Sequence, residues 1–167
     1  MEVVELQIFQ FKELDEQAKE KARDWYRQDI DFAWQDEAKD SINAFCAHFG
    51  VKLINWSIAP YSSPDYHAEY FNSHFRGMKL KDFERDHMPT GYCLDCDLWM
   101  TFYDEFKLTG SAKTAFDKAL WAGFIAWRND MEAQLSNEHI DDNMEINEWT
   151  FTADGKFYPY WNNYDKS

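Results

Sequence analysis

The apolar positions of this chain change period several times, and each change marks an element. Residues 2–11 alternate, with Val4, Leu6 and Ile8 on one side and Phe9 and Phe11 on the other, which predicts a strand covered on both faces. From Leu14 the spacing becomes helical: Asp15 is placed to cap, and Ala18, Ala22, Trp25 and Tyr26 form a narrow inward stripe among mixed charges. Residues 32–49 predict a second helix with Trp34, Ala38, Ile42, Phe45 and Phe49 inward and Gly50 as its stop. Residues 51–59 read as a strand, and Pro60, Ser62, Ser63 and Pro64 as a loop. A further strand is expected over 65–75, ended by Gly77, with a short helical turn before Pro89.

Residues 93–107 show helical spacing at Cys93, Cys96 or Asp97, Met100 and Tyr103, and Gly110 closes that segment. The stretch that follows sets Ala112, Phe116, Ala119, Gly123, Trp127, Met131 and Leu135 on one broad face, the pattern of a central core helix. Ser136 can cap a last helix, and Asp154–Gly155 between alternating apolar runs signals a hairpin. The expected architecture is α+β, about five helices around a small antiparallel sheet with a C-terminal hairpin. With no internal repeat or linker, residues 1–167 read as a single domain.

Composition sharpens this. Aromatic residues make up 19% of the chain, with 8 Trp, 9 Tyr and 14 Phe, enough to exclude a disordered polymer and to leave rings for exposed patches. Acidic residues outnumber basic ones by 31 to 17, a formal net charge of −14. Such a surface repels nucleic acid and an anionic membrane face, and it attracts basic proteins. Solubility alone accounts equally for the same excess. The start MEVVELQIF carries acids where a signal peptide carries cations, no apolar run approaches a membrane span, and three cysteines are too few for a disulfide framework. A reducing cytoplasm is the expected compartment.

Candidate chemistry begins with Cys93 and Cys96, a C-x-x-C pair. That spacing suits a redox site at a helix start or half a zinc site. Asp95 and Asp97 flank the sulfurs, and negative neighbours disfavour a thiolate. Zinc needs two more ligands; His87 is a candidate third, with Cys46 or another histidine as fourth. Small residues buried on a helix face are the favoured reading of the pair. His67 and His74 fall on opposite faces of a regular strand, so they do not share a metal. No hydrolase, phosphate-loop or dinucleotide motif is present, so neither an enzyme nor a cofactor is expected.

The charge pattern points elsewhere. Between Asn129 and Gly155 there is no Lys or Arg, while Asp130, Glu132, Glu138, Asp141, Asp142, Glu145, Glu148 and Asp154 all occur. On a helix Glu138, Asp141, Asp142 and Glu145 share one face, opposite Ile140 and Met144. Like charges at that spacing cost a few tenths of a kcal/mol per pair. A solvated face is one account of this ladder; a surface that copies DNA phosphates or fills a basic groove is the other. The tail adds Phe157, Tyr158, Tyr160, Trp161 and Tyr164, rings with polar tips that either anchor an interface or pack back on the sheet.

The opening FKELDEQAKEKARDWYRQ, through Phe11, Glu13, Leu14, Ala18, Lys19, Lys21, Ala22 and Trp25, resembles small acidic proteins of tailed phages and prophages. The closing EINEWTFTADGKFY is similar to the C-terminal ends of the same group. The resemblance covers both ends of the chain and carries no catalytic residue. It implies a phage product in the host bacterial cytoplasm, of the kind that inhibits defence systems in the anti-CRISPR or anti-restriction manner. The expectation is therefore a binding protein. Its partner is a host protein with a basic surface, with no direct nucleic-acid or membrane contact. The acids and Tyr158, Tyr160 and Trp161 supply the contacts. An antitoxin-like or structural partner is the alternative, and a Cys/His metal or redox protein a third; the oligomeric state is not legible.

Overall fold

A computed structural model describes residues 6–159. In chain order the elements are β1 (Ile8–Gln10), α1 (Glu16–Gln28), α2 (Gln35–His48), β2 (Lys52–Ser57), β3 (Asp65–Glu69), α3 (Leu94–Thr109), α4 (Ala112–Gln134), α5 (Asn137–Ile146) and β4 (Thr150–Thr152). Among the described residues the fold is α+β with five α-helices. Its antiparallel strands form two separate two-stranded sheets, β1–β4 and β2–β3, where the sequence led us to expect one. None of the described helices is long and apolar enough to cross a membrane.

Chain contacts group into two compact units, residues 1–31 with 133–167 and residues 32–132. In the first, β1 pairs with β4 in the register Ile8↔Thr152, Phe9↔Phe151, Gln10↔Thr150. Asp15 caps α1 by accepting from the Ala18 N–H at 2.8 Å. Ser136 caps α5 in the same way, accepting from His139 N–H at 3.2 Å. The inward stripe Ala18 and Ala22 then meets Ile140 and Met144 of α5 and Phe11, Leu14 and Phe151 in one buried cluster. Trp25 closes the cluster by stacking on Phe157, centroids 4.4 Å apart and planes 11° apart. The Asp154–Gly155 turn forms as the dipeptide predicts: Thr152 N–H donates to Lys156 O at 2.9 Å, and Phe151 bridges Phe157. Gly155 is required there, because a Cβ would stand 2.1 Å from the Ala18 carbonyl oxygen.

The second unit packs α2, α3 and α4 around aromatic rings. Phe45 stacks on Phe116 at 5.3 Å, and Phe49, Trp99 and Phe102 surround them. The β2–β3 hairpin lies on α4, with Tyr66 stacked on Phe124 at 4.7 Å and Trp56 against Trp127 at 4.9 Å. A register shift between Leu53 and Asn55 interrupts the ladder.

Three expectations are corrected. Trp34 is not inward: it takes a left-handed conformation (φ 64) ahead of α2 and is 60% exposed, while Ala38, Ile42, Phe45 and Phe49 are buried as the spacing predicts. The strand expected over 65–75 stops at Glu69. The chain there turns into a 3-10 segment, His74 N–H donating to Phe71 O at 2.9 Å, which buries Phe75. On α3 the core face is Leu94, Leu98, Trp99, Phe102 and Phe106, not Cys93, Cys96, Met100 and Tyr103. The larger apolar stripe wins the interior because it removes more carbon surface from water.

Candidate functional site

The acid ladder is built by α5. With Ile140 and Met144 fixed inward one turn apart, residues 138, 142 and 145 are turned outward. Glu138, Asp142 and Glu145 are exposed, and so is Glu148 in the turn that follows, where it takes φ 51. None of these four has a cation partner among the described residues. Three or four residues at about 1.5 Å each put neighbouring carboxylates roughly 4.5–6 Å apart along the axis. This is sparser than the roughly 3.4 Å per charge of a DNA strand.

Asp141 belongs to the same helix but not to the free set. Arg23 of α1 grips it with two bonds, Nε to Oδ1 and Nη2 to Oδ2, each 2.7 Å. The same guanidinium donates to Glu16 at 2.8 Å and Glu20 at 2.9 Å. These partners, Asp141 first, hold the Arg23 guanidinium firmly protonated despite its burial. Glu20, gripped by Arg23 and then Arg27, ionises below the usual glutamate value. Arg23 thus neutralises the inner edge of the ladder and leaves the outer edge charged. Asp130 and Glu132 lie on α4 in the other unit. Glu132 is engaged: it pairs with Arg128 at 3.1 Å and accepts from Tyr61 N–H at 2.8 Å.

Beside the end of α5 lies an aromatic groove of about 300 Å³, lined by Asn147, Glu148, Trp149, Thr150, Phe157, Tyr158 and Pro159. Tyr158 is 39% exposed on its rim. Its position is fixed by the hairpin, Tyr158 N–H donating to Thr150 O at 2.8 Å and Thr150 Oγ1 donating back to Tyr158 O at 2.6 Å. The structure therefore brings two tail aromatics, Phe157 and Tyr158, together with one ladder acid, Glu148. Tyr160 and Trp161, and Tyr164 beyond them, lie outside the described residues.

The cysteine pair is not core, correcting the favoured reading. Cys93 is exposed at the N-cap of α3, and Cys96 is half-buried with its sulfur 3.9 Å from that of Met88. Asp95 has turned inward instead. It is fully buried, and its Oδ2 accepts from Thr90 N–H (2.9 Å), Gly91 N–H (3.0 Å) and Thr90 Oγ1 (2.9 Å). His87 packs edge-on against Trp99, centroids 4.6 Å apart, and 5.9 Å from His48. Cys46 is buried in the core, and burial pushes its thiol up to about 12. Among the described residues no three Cys, His, Asp or Glu side chains come together as a metal site.

Sequence reasoning missed the Arg23 clamp, the buried Asp95 and a small pocket of about 250 Å³ lined by His48, Asp82, Phe83, Glu84, His87 and Trp99. The one signal for the clamp was an arginine directly after Ala22, on the border of the buried stripe.

Compared with protein-family models, with curated proteins and with solved structures, the chain matches none.

Proposed function

We propose that this protein acts by binding, as a phage product that occupies the basic, nucleic-acid-holding surface of a host defence complex. The observation that carries the reading is the row Glu138, Asp142, Glu145 and Glu148, exposed and without a cation, running up to an aromatic groove. A solubilising surface intersperses both signs of charge. Here the two arginines of the same unit, Arg23 and Arg27, are paired with other acids and leave the outer row bare. Carboxylates steer the encounter with a basic groove, and the aromatic rim supplies desolvated contact area once docked. The resemblance of the chain's two ends to phage proteins supplies the setting.

The test is competition on a complex captured from infected cells. The protein should displace duplex DNA from its captured partner, and its own binding should weaken steeply as salt rises. The triple variant Glu138→Lys, Asp142→Lys, Glu145→Lys should lose the partner while keeping its helical circular dichroism. Salt-independent binding, or a triple variant that still binds, defeats the proposal.

A further inference from the structure

The C-x-x-C pair has the placement of a reactive site. Cys93 sits at the N-cap of the 16-residue helix α3, and Cys96 N–H donates to Cys93 O at 3.0 Å, so the two residues span one helical turn. Side chains three apart on a helix have Cβ atoms about 5–6 Å apart. A disulfide draws them to roughly 3.5–4.5 Å, a small further approach. The first turn of α3 is the place for that adjustment, since Gly91 just before it already holds φ 78. The positive end of the helix dipole lies beside Cys93, although its sulfur accepts no capping hydrogen bond. Of the two acids that the sequence sets beside the sulfurs, Asp95 faces the Thr90–Gly91 backbone instead, while Asp97 stays exposed next to Cys96. The phenol of Tyr92 lies beside the Cys93 sulfur, and burial raises its pKa and keeps it protonated. Exposure is graded: Cys93 open, Cys96 half-covered, Cys46 buried.

We propose that Cys93 and Cys96 form a thiol–disulfide exchange site whose substrate class is the low-molecular-weight disulfide. The Cys93 thiolate attacks one sulfur of the disulfide R–S–S–R, whose S–S bond breaks as a mixed disulfide forms and one thiolate R–S⁻ departs. Cys96, deprotonated by that departing thiolate, attacks the Cys93 sulfur and displaces the second R–S⁻. The protein dithiol is oxidised by two electrons, the small disulfide is reduced, and the two thiol protons end on two released R–SH.

The test uses the full chain, reduced and then exposed to glutathione disulfide, with intact mass and peptide mapping as readouts. The expected product is a monomer lighter by two hydrogens, bridged between Cys93 and Cys96, with Cys46 still reduced. Cys96→Ser should accumulate one glutathione on Cys93, and Cys93→Ser should form no bridge. The wild-type mass measurement decides the matter even if a variant folds poorly. A stable glutathione adduct on the wild type, a disulfide-linked dimer, or no reaction at Cys93 overturns the proposal.

Discussion

Arg23 and Asp141, 118 positions apart in sequence, form a two-bond fork with both contacts at 2.7 Å. The fork ties α1 to α5 at the edge of the aromatic cluster and decides which acids of α5 are neutralised by a cation. Arg23 is nearly inaccessible and Asp141 is 29% exposed on its side chain. Replacing Arg23 by Ala leaves the partly buried Asp141 without its cation, while Glu16 is exposed to water and Glu20 keeps Arg27. The expected loss is about 3 kcal/mol, the lower end of the range for breaking a buried pair. Urea unfolding at neutral pH measures it, and Asp141→Asn should lose less, since the amide oxygen still accepts one bond.

The same clamp gives an acid signature. Glu20 ionises more readily folded than unfolded because Arg23 and then Arg27 bond its carboxylate. Its contribution is therefore present above the ordinary value of 4.5 and is lost as pH falls through the lower folded value. A stability profile against pH should steepen below 4.5, and Glu20→Gln should flatten that part of the curve.

Gly155→Ala should destabilise the hairpin strongly. The residue holds φ 82, and an added Cβ would meet the backbone of Ala18 rather than a movable side chain. Left-handed strain of about 1–2 kcal/mol and overpacking of about 1–3 kcal/mol add to roughly 3 kcal/mol. Thermal unfolding followed by tryptophan fluorescence should show the shift, since Trp25 and Trp149 flank Phe157 of that hairpin.

Asp95 supplies a contrast of two variants. Asp95→Ala removes the acceptor of three bonds at the start of α3, and the expected cost is about 2–4 kcal/mol. Asp95→Asn should cost clearly less, because an amide oxygen in the place of Oδ2 keeps all three bonds, while Oδ1 has no partner to lose. Equal losses in denaturant titrations would show that the charge, not the acceptor geometry, matters.

His48 is held below its ordinary value of 6.5 by burial and then by the charge of His87. A histidine depressed in the folded state contributes stability that is present above 6.5 and is lost as pH falls towards its folded value. Melting temperature should drop across that interval. His48→Gln should remove most of the slope, and emission of Trp99, which His48 contacts edge-on at 4.7 Å, reports the local change.

Local chemistry was legible wherever it acts within a few residues. Asp15 and Ser136 cap the helices that their neighbours predict, Gly50 and Gly110 stop α2 and α3 in left-handed conformations, and Asp154–Gly155 turns the hairpin. In each case the partner groups lie four or fewer positions away, so the amino-acid order fixes them. The α+β class follows from the same signals, because period alone separates helix from strand. What tertiary structure decided is which of two adjacent stripes faces inward. On α3 the sulfur-bearing stripe and the Leu98–Phe102 stripe have equally helical spacing, and only the rings of α2 and α4 select the second. Asp141 and Asp142 are consecutive carboxylates; the first is neutralised and the second left free because Arg23 arrives from the far end of the chain. The C-x-x-C pair shows the limit from the other direction. Asp95 reads as a neighbour of the sulfurs in one dimension, and packing turns it away to bind backbone. Burial and pairing are set by contacts between distant segments, and no local pattern encodes which segments meet.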